Sequence, residues 1–332
     1  MVEVEELVKV YPGEIRAVDD ISFEVNEGEV FGFLGPNGAG KTTTIRMIVT
    51  LLRITSGRIV VAGIDVSAHP ELVRRRVGYA AQSIGIDGDL TARENLVLQA
   101  RLHGVGAQSA EGKAAELLEI SDLTEAADRR AGTFSGGMRR RLDLAQALVH
   151  EPPLLFLDEP TTGLDPQSRR AMWSYLRSLN ENGATVFLTT QYMEEADELA
   201  SRLAIIDHGR IVAEGSPESM KDDLGGDVIE VTLPEDAGPE LPFTAQRLLE
   251  ELPGAGDTQR QDHAVSVFIP DGGSALADLV RRFDAAGVPV ARLELHQPTL
   301  DDVFLHHTGE RMRVEEVRAP SRIRMGRRRS RA

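Results

Sequence analysis

Eight consecutive residues, Gly35-Pro36-Asn37-Gly38-Ala39-Gly40-Lys41-Thr42, constrain the fold of this 332-residue chain more than any other feature. They match G-x-x-x-x-G-K-[ST], with the apolar run VFGFL before them and TTIRMIV after, so strand, tight loop and helix follow as the pattern requires. The chemistry explains the residue types. Glycines let successive backbone N–H groups curl around a phosphate, and the helix N-terminus adds partial positive charge. In such a loop Lys41 reaches the outer phosphates as a point charge, and the Thr42 hydroxyl is placed to ligate Mg²⁺. A glycine-rich turn with no phosphate to hold is the alternative, and it would need neither flank.

A loop of this kind belongs to a largely parallel α/β sheet. Segments rich in Val, Ile, Leu and Phe read as strands at 2–10, 21–25, 29–34, 58–62, 154–158, 184–189 and 203–207, with helical patterns between several of them. The run Leu154-Leu155-Phe156-Leu157 ends in Asp158 and Glu159. An apolar strand that delivers acids at its carboxyl end sets them beside the phosphate loop of the same sheet. Asp158 is then expected to hold Mg²⁺, through water, and Glu159 to orient or deprotonate the attacking water. Taken alone, an apolar run ending in two acids also fits a plain strand-end turn.

Residues 89–149 break the alternation and read as helical throughout. A second shift follows residue 217. From 227 the pattern is strand (VIEVTL), helix (FTAQRLLEEL), strand (AVSVFI), helix (ALADLVRRFDAAG), strand (VPVARLEL) and a short closing helix. That helix opens on Thr299, with Asp302 three residues on as a capping box, and Leu300, Val303 and Phe304 share one face.

The formal charge of −16 argues against nucleic acid as a partner, since a phosphate backbone needs a basic surface. The exception is 318–332, with seven arginines and no acid. It fits either a disordered, solubilising end or a contact with anionic lipid headgroups. No stretch approaches the roughly 18 uninterrupted apolar residues of a membrane helix. The acidic start MVEVEELVKV does not read as a secretory signal, and zero cysteines exclude disulfides, thiolate metal sites and cysteine nucleophiles.

Phe134-Ser135-Gly136-Gly137-Met138, followed by RRRLDLAQAL, resembles the LSGGQ signature of ABC ATPases, and the resemblance spans about residues 1–217. It implies an α/β fold: a P-loop NTPase nucleotide-binding domain with RecA-like core, antiparallel β-subdomain and helical subdomain (about 89–149), then a small C-terminal α/β domain (218–309) and an Arg-rich tail (310–332). It also implies ATP and Mg²⁺ as cofactors, and a sandwich dimer in which Ser135, Gly136, Gly137 and Met138 bind the γ-phosphate of ATP held by a second copy. In the same register, Tyr11 falls at the adenine-stacking aromatic, although an ordinary strand-end tyrosine also fits. Gly35 to Thr43 cradle the phosphates. Gln82 in GYAAQS resembles the Q-loop glutamine that touches Mg²⁺ and the water, and Gly163-Leu164-Asp165-Pro166 the D-loop, with Asp165 at the dimer interface. Two positions depart from the family: Met138 replaces the usual Gln, and Gln191 in LTTQYMEEA stands where a histidine is usual. Glutamine can still donate from its amide, but it cannot titrate.

Gln191, the SGGM signature and Pro298-Thr299-Leu300-Asp301-Asp302-Val303-Phe304-Leu305 together resemble the daunorubicin-resistance type of drug-export ATPase. That branch implies a separate ABC-2-type transmembrane permease and a place on the cytoplasmic side of the cell membrane. The expected cargo is a drug or antibiotic, with a lipid or polysaccharide precursor as runner-up. A soluble ABC protein acting on ribosomes or DNA, and a regulatory cassette without turnover, are the rival readings.

Overall fold

A computed structural model describes residues 1–310 and 312, so the arginine-rich 318–332 lies outside the described residues. The first elements are β1 (Val2–Tyr11), β2 (Ile15–Val25), β3 (Val30–Leu34), α1 (Lys41–Ile48), β4 (Ser56–Val61), β5 (Ile64–Asp65), α2 (Pro70–Arg74) and β6 (Val77–Ala80). Three helices, α3 (Ala92–Leu102), α4 (Ala107–Ile120) and α5 (Gly136–Ala147), precede β7 (Leu154–Asp158), α6 (Pro166–Glu181), β8 (Thr185–Thr190), α7 (Met193–Leu199), β9 (Arg202–Asp207), β10 (Arg210–Gly215) and α8 (Pro217–Asp222). The remainder is β11 (Asp227–Thr232), α9 (Leu241–Glu250), β12 (Thr258–Gln261), β13 (Ala264–Ile269), α10 (Gly272–Ala285), β14 (Arg292–His296) and α11 (Leu300–Thr308).

The central sheet has the order β10-β9-β3-β8-β7-β6, parallel from β9 to β6, with β10 antiparallel at one edge. Every residue of β3, β7 and β8 is buried, as strands covered on both faces require. The expected strands at 2–10, 21–25 and 58–62 do not join it. They pair antiparallel in a separate sheet, β2-β1-β4-β5, whose apolar face packs on the central sheet. Phe23 on β2 seals that junction, its ring 5.6 Å from Phe31 and 5.4 Å from Phe33. Strand periodicity alone does not separate the two sheets; the antiparallel β-subdomain that the family resemblance implied does.

The helices α3, α4 and α5 share an alanine-rich core that includes Ala92, Leu96, Ala114, Leu117 and Leu142. Residues 121–135, read as helical from sequence, are instead turns and two short 3-10 segments, and Asp122 has a left-handed φ of 53° that ends α4. That break lets α5 start at Gly136 with Ser135 as its N-cap.

The chain from β11 to β14 runs βαββαβ with strand order β12-β13-β11-β14, all pairs antiparallel, which is the split-βαβ ferredoxin-like arrangement. Periodicity missed β12 because TQRQ is a polar edge strand, and it started β14 too early because Pro289 has no N–H to give a ladder. Helix α11 carries the expected capping box, Thr299 N–H donating to Asp302 at 2.8 Å and Asp302 N–H to Thr299 at 3.3 Å. Its apolar face does not close the ferredoxin-like unit. Leu300, Val303 and Phe304 pack with Leu34, Ala196, Ala200 and Ile205 of the nucleotide-binding core and with Met220 on α8, while His306 meets the edge of Phe268 on β13.

Candidate nucleotide site

The phosphate loop leaves β3 at Leu34, and the Gly35 N–H donates to the Thr190 carbonyl at 3.2 Å. A Cβ at Gly35 would stand 2.2 Å from the Ile206 carbonyl oxygen, so no side chain fits beneath the loop. Gly40 has φ 112° and closes the loop onto α1, where a Cβ would lie 2.5 Å from Ala17 O. Lys41, 4% exposed, folds back over the loop and donates to Gly35 O at 2.7 Å and Pro36 O at 2.9 Å. Its Nζ lies 3.7 Å from Glu159 Oε1. Burial pulls the Lys41 ammonium below its ordinary pKa, against the opposing pull of Glu159 and Asp158.

Parallel pairing brings the two acids to the same edge, with Asp158 level with Thr189 and Thr190 level with Leu34. Asp158 Oδ1 accepts from Thr42 Oγ1 at 3.0 Å and from Thr189 Oγ1 at 2.7 Å. Asp158 Oδ2 is buried with no partner. An orphaned carboxylate oxygen beside the P-loop threonine hydroxyl is the donor set a hard divalent cation prefers, so Asp158 and Thr42 fit Mg²⁺. Glu159 has a left-handed φ of 49°, and its N–H donates to Thr189 O and Thr189 Oγ1, both at 3.1 Å. Its Oε2 accepts from Gln82 Nε2 at 2.9 Å and from Thr162 Oγ1 at 3.1 Å. A cleft of about 320 Å³ is bounded by Asn37, Gly38, Gly40, Lys41, Thr42, Thr43, Gln82 and Glu159. Carboxylate, ammonium, hydroxyl and amide thus converge on one space, the equipment for phosphoryl transfer to water.

Other expected residues sit around it. Tyr11 OH is 3.5 Å from Thr43 Oγ1, and the Lys9 ammonium lies 5.3 Å from the Tyr11 ring centroid. Pro36 and Ala39 border a second cavity behind the loop, shared with Phe304 and Thr308 of α11. Gln191 follows Thr190 at the end of β8 and is 2% exposed. Ser135 caps α5, its Oγ accepting from Met138 N–H at 3.2 Å, and is exposed outside the cleft of its own P-loop. Leu164 and the start of α6 are its neighbours: a Cβ at Gly136 would lie 3.7 Å from Leu164 Cδ2, and one at Gly137 2.9 Å from Ser168 Oγ. Asp165 caps α6, and hydrogen bonds from Ser168 and Gln167 hold its carboxyl below the usual range. Periodicity and motif reading passed over Thr189, Thr162 and Arg140. The only signal was their place beside a motif, in LTTQ, DEPTTG and GGMRRR.

A family model described as ABC transporter matches residues 18–162, and one described as ATP-binding protein DrrA1-3-like, C-terminal domain, matches 215–308. Among solved structures, a dimeric post-hydrolysis state of an ATP-binding cassette bound to ADP and Pi aligns with a TM-score of 0.60 at 28% identity, over 65% of this chain and 98% of that one. Fold and site define an ABC-type ATP-binding cassette. The daunorubicin resistance ATP-binding protein DrrA2 of Streptomyces coeruleorubidus is 47% identical over 318 residues, 96% of this chain and 98% of its own length. The Nod factor export ATP-binding protein I of Burkholderia thailandensis is 42% identical over 314 residues, 94% of this chain and 98% of its own. The chain belongs to the daunorubicin/doxorubicin-resistance family of ABC ATP-binding proteins.

Proposed function

We propose that this chain is the ATP-hydrolysing subunit of an exporter, working as a homodimer beneath an ABC-2-type permease on the cytoplasmic side of the cell membrane. The observation that carries the dimer is the position of Ser135: a helix N-terminus suited to an anion, exposed outside the cleft that would hold the chain's own phosphates. A second copy supplies the phosphate it would bind. The daunorubicin-resistance relatives support a hydrophobic drug as cargo, with a lipid or polysaccharide precursor as the alternative, and the Nod factor relative supports export.

In the proposed cycle the loop amides and Lys41 hold the β- and γ-phosphates, and Tyr11 borders the base. Thr42 and Asp158 would hold Mg²⁺, with Gln82 alongside; the ion supplies charge neutralisation for the developing oxyanion. Glu159, aimed by Gln82 and Thr162, accepts a proton from the water whose oxygen attacks the γ-phosphorus. The bond from that phosphorus to the β–γ bridging oxygen breaks, leaving ADP and phosphate. Ser135, Gly136, Gly137 and Met138 of the opposite copy stabilise the γ-phosphoryl charge, so the dimer opens once it is gone.

Inverted vesicles from cells making this chain together with an ABC-2-type permease should accumulate daunorubicin only with ATP. Phosphate release without accumulation would reject the cargo, and no phosphate release at all would reject the hydrolase.

At the switch position Gln191 can donate an amide hydrogen bond and holds no titratable proton. Turnover of the isolated chain should therefore be slow, with no switch-histidine inflection in its pH profile. Gln191→His should raise turnover and add an inflection at about pH 6.5, below which an imidazolium faces the γ-phosphate. Superimposable rate–pH curves for the two proteins would remove any special role for Gln191.

A further inference from the structure

Three arginines follow the signature glycines, and the middle one is withdrawn from solvent. Arg140 is 3% exposed, whereas Arg139 beside it faces water. The Arg140 guanidinium spends its donors on the main chain of two distant segments. Its Nη1 donates to Ala81 O at 2.5 Å, Nη2 to Asp158 O at 3.0 Å and Nε to Pro160 O at 2.9 Å. Nη1 also reaches Asp143 Oδ2 at 3.2 Å, and Asp143 Oδ1 accepts the Gly85 N–H at 2.9 Å.

The identity of these carbonyls is the point. Asp158 and Pro160 flank Glu159, and Ala81 immediately precedes Gln82. One planar fork thus grips the backbone on both sides of the proposed base and just ahead of the glutamine that hydrogen-bonds it. Glu159 needs such a grip, because a left-handed φ at a non-glycine residue persists only when its surroundings over-determine it. The same arginine stands on α5, the helix that Ser135 opens, five residues along from that cap.

We propose that Arg140 is a positioning residue for ATP hydrolysis, holding Glu159 and Gln82 at a fixed separation and tying both to the signature helix. A nucleotide seated at Ser135 from the opposite copy then acts on the aim of this chain's own Glu159 through one buried side chain. The proposal rests on the sandwich-dimer reading above and deepens it. Lysine keeps the charge but cannot bridge three carbonyls with the geometry of a guanidinium.

The test compares Arg140→Met and Arg140→Lys with the wild type, each also in a Glu159→Gln background. Misaiming the base by an ångström predicts a fall in kcat of about 100-fold in Arg140→Met, with Arg140→Lys recovering little of it. KM for Mg-ATP and the affinity for a fluorescent ATP analogue should stay within about threefold of wild type. In the Glu159→Gln background both Arg140 variants should still dimerise with ATP on size exclusion, which shows that the fold and both half-sites are intact. Near-wild-type kcat in either variant would overturn the proposal. So would a parallel loss of nucleotide binding and dimerisation, because that pattern marks a purely structural role. If Arg140→Met is insoluble, Arg140→Lys decides by the same criteria. If Glu159→Gln with native Arg140 never dimerises, the sandwich reading fails, while the kcat comparison still judges Arg140.

Discussion

Glu159→Gln is expected to bind ATP normally, hydrolyse it about 100- to 1,000-fold more slowly than wild type, and run as a dimer when ATP is present. The geometry explains why loss is confined to chemistry. Glu159 Oε2 accepts from Gln82 and Thr162, and a glutamine amide oxygen can accept both of those bonds in the same rotamer. What glutamine cannot do is take the proton of the attacking water. The other carboxylate oxygen lies 3.7 Å from the Lys41 ammonium, so the substitution also removes one counter-charge from Lys41 without touching the loop carbonyls that hold it. With the γ-phosphate never cleaved, the bridge from P-loop to opposite signature persists. Phosphate release and light scattering after size exclusion would check both halves. Wild-type turnover in this variant would remove Glu159 from the role of base.

Lys41→Met should fail one step earlier, at binding. The ammonium is 4% exposed and donates to Gly35 O and Pro36 O, with Glu159 nearby as its counter-ion. Methionine fills much of the volume but leaves two buried carbonyls and a buried carboxylate without their cation. The same substitution removes the charge-assisted contact from the ammonium to the phosphates, a loss of about 3 kcal/mol, or roughly 100-fold in affinity for Mg-ATP. Titration calorimetry would measure it, and an unchanged Kd would show that the loop amides alone carry the phosphates. In the wild-type protein burial lowers the Lys41 pKa, and phosphates oppose that lowering. ATP binding should therefore take up protons on the alkaline side, and affinity should fall as pH rises there.

The two variants probe features of different legibility. Lys41 sits in eight contiguous residues whose conformation is largely local: glycines where a Cβ would strike Ile206 or Ala17, a lysine at the first helical position, a strand before and a helix after. Such a unit can be read from the chain because its residue types stand in one contiguous run, although the backbone that forbids a Cβ at Gly35 and Gly40 comes from the distant Ile206 and Ala17. The signature is legible for the same reason, since Ser135, Gly136 and Gly137 form a local helix cap. Glu159 was legible in type and place, but its left-handed backbone and its Gln82 and Thr162 partners were not. Those depend on Gln82, 77 residues back, and Thr189, 30 residues on, and on a tight turn that returns Thr162 to the carboxylate.

The errors of sequence reading have the same origin. Residues 2–10, 21–25 and 58–62 are strands, as periodicity demands, yet periodicity carries no information about which strands pair. Their separation lies in the antiparallel ladders that β1 makes with β2 and β4, with Phe23 packing across Phe31 and Phe33 between the two sheets. The strands β6 and β12 are four residues each, one with a glycine and one wholly polar, and neither is long enough to show a period. Helix α11 was read correctly down to its capping box, but an apolar face does not say what it covers. Burial against Leu34, Ala196 and Ile205 ties it to the nucleotide-binding core.

By itself the sequence determined the phosphate loop, the acids at the end of an apolar strand, the helix that opens on Ser135 and the kinship with drug-export ATPases, because each is written in neighbouring residues. Only the tertiary structure decided that Thr42 and Asp158, 116 residues apart, share a hydrogen bond beside an orphaned carboxylate oxygen. It alone shows that one of three look-alike arginines is buried across the backbone at the end of β7 and just ahead of Gln82. Local steric rules fix the first kind of feature; the second depends on which distant backbone groups the packed core leaves in need of a donor.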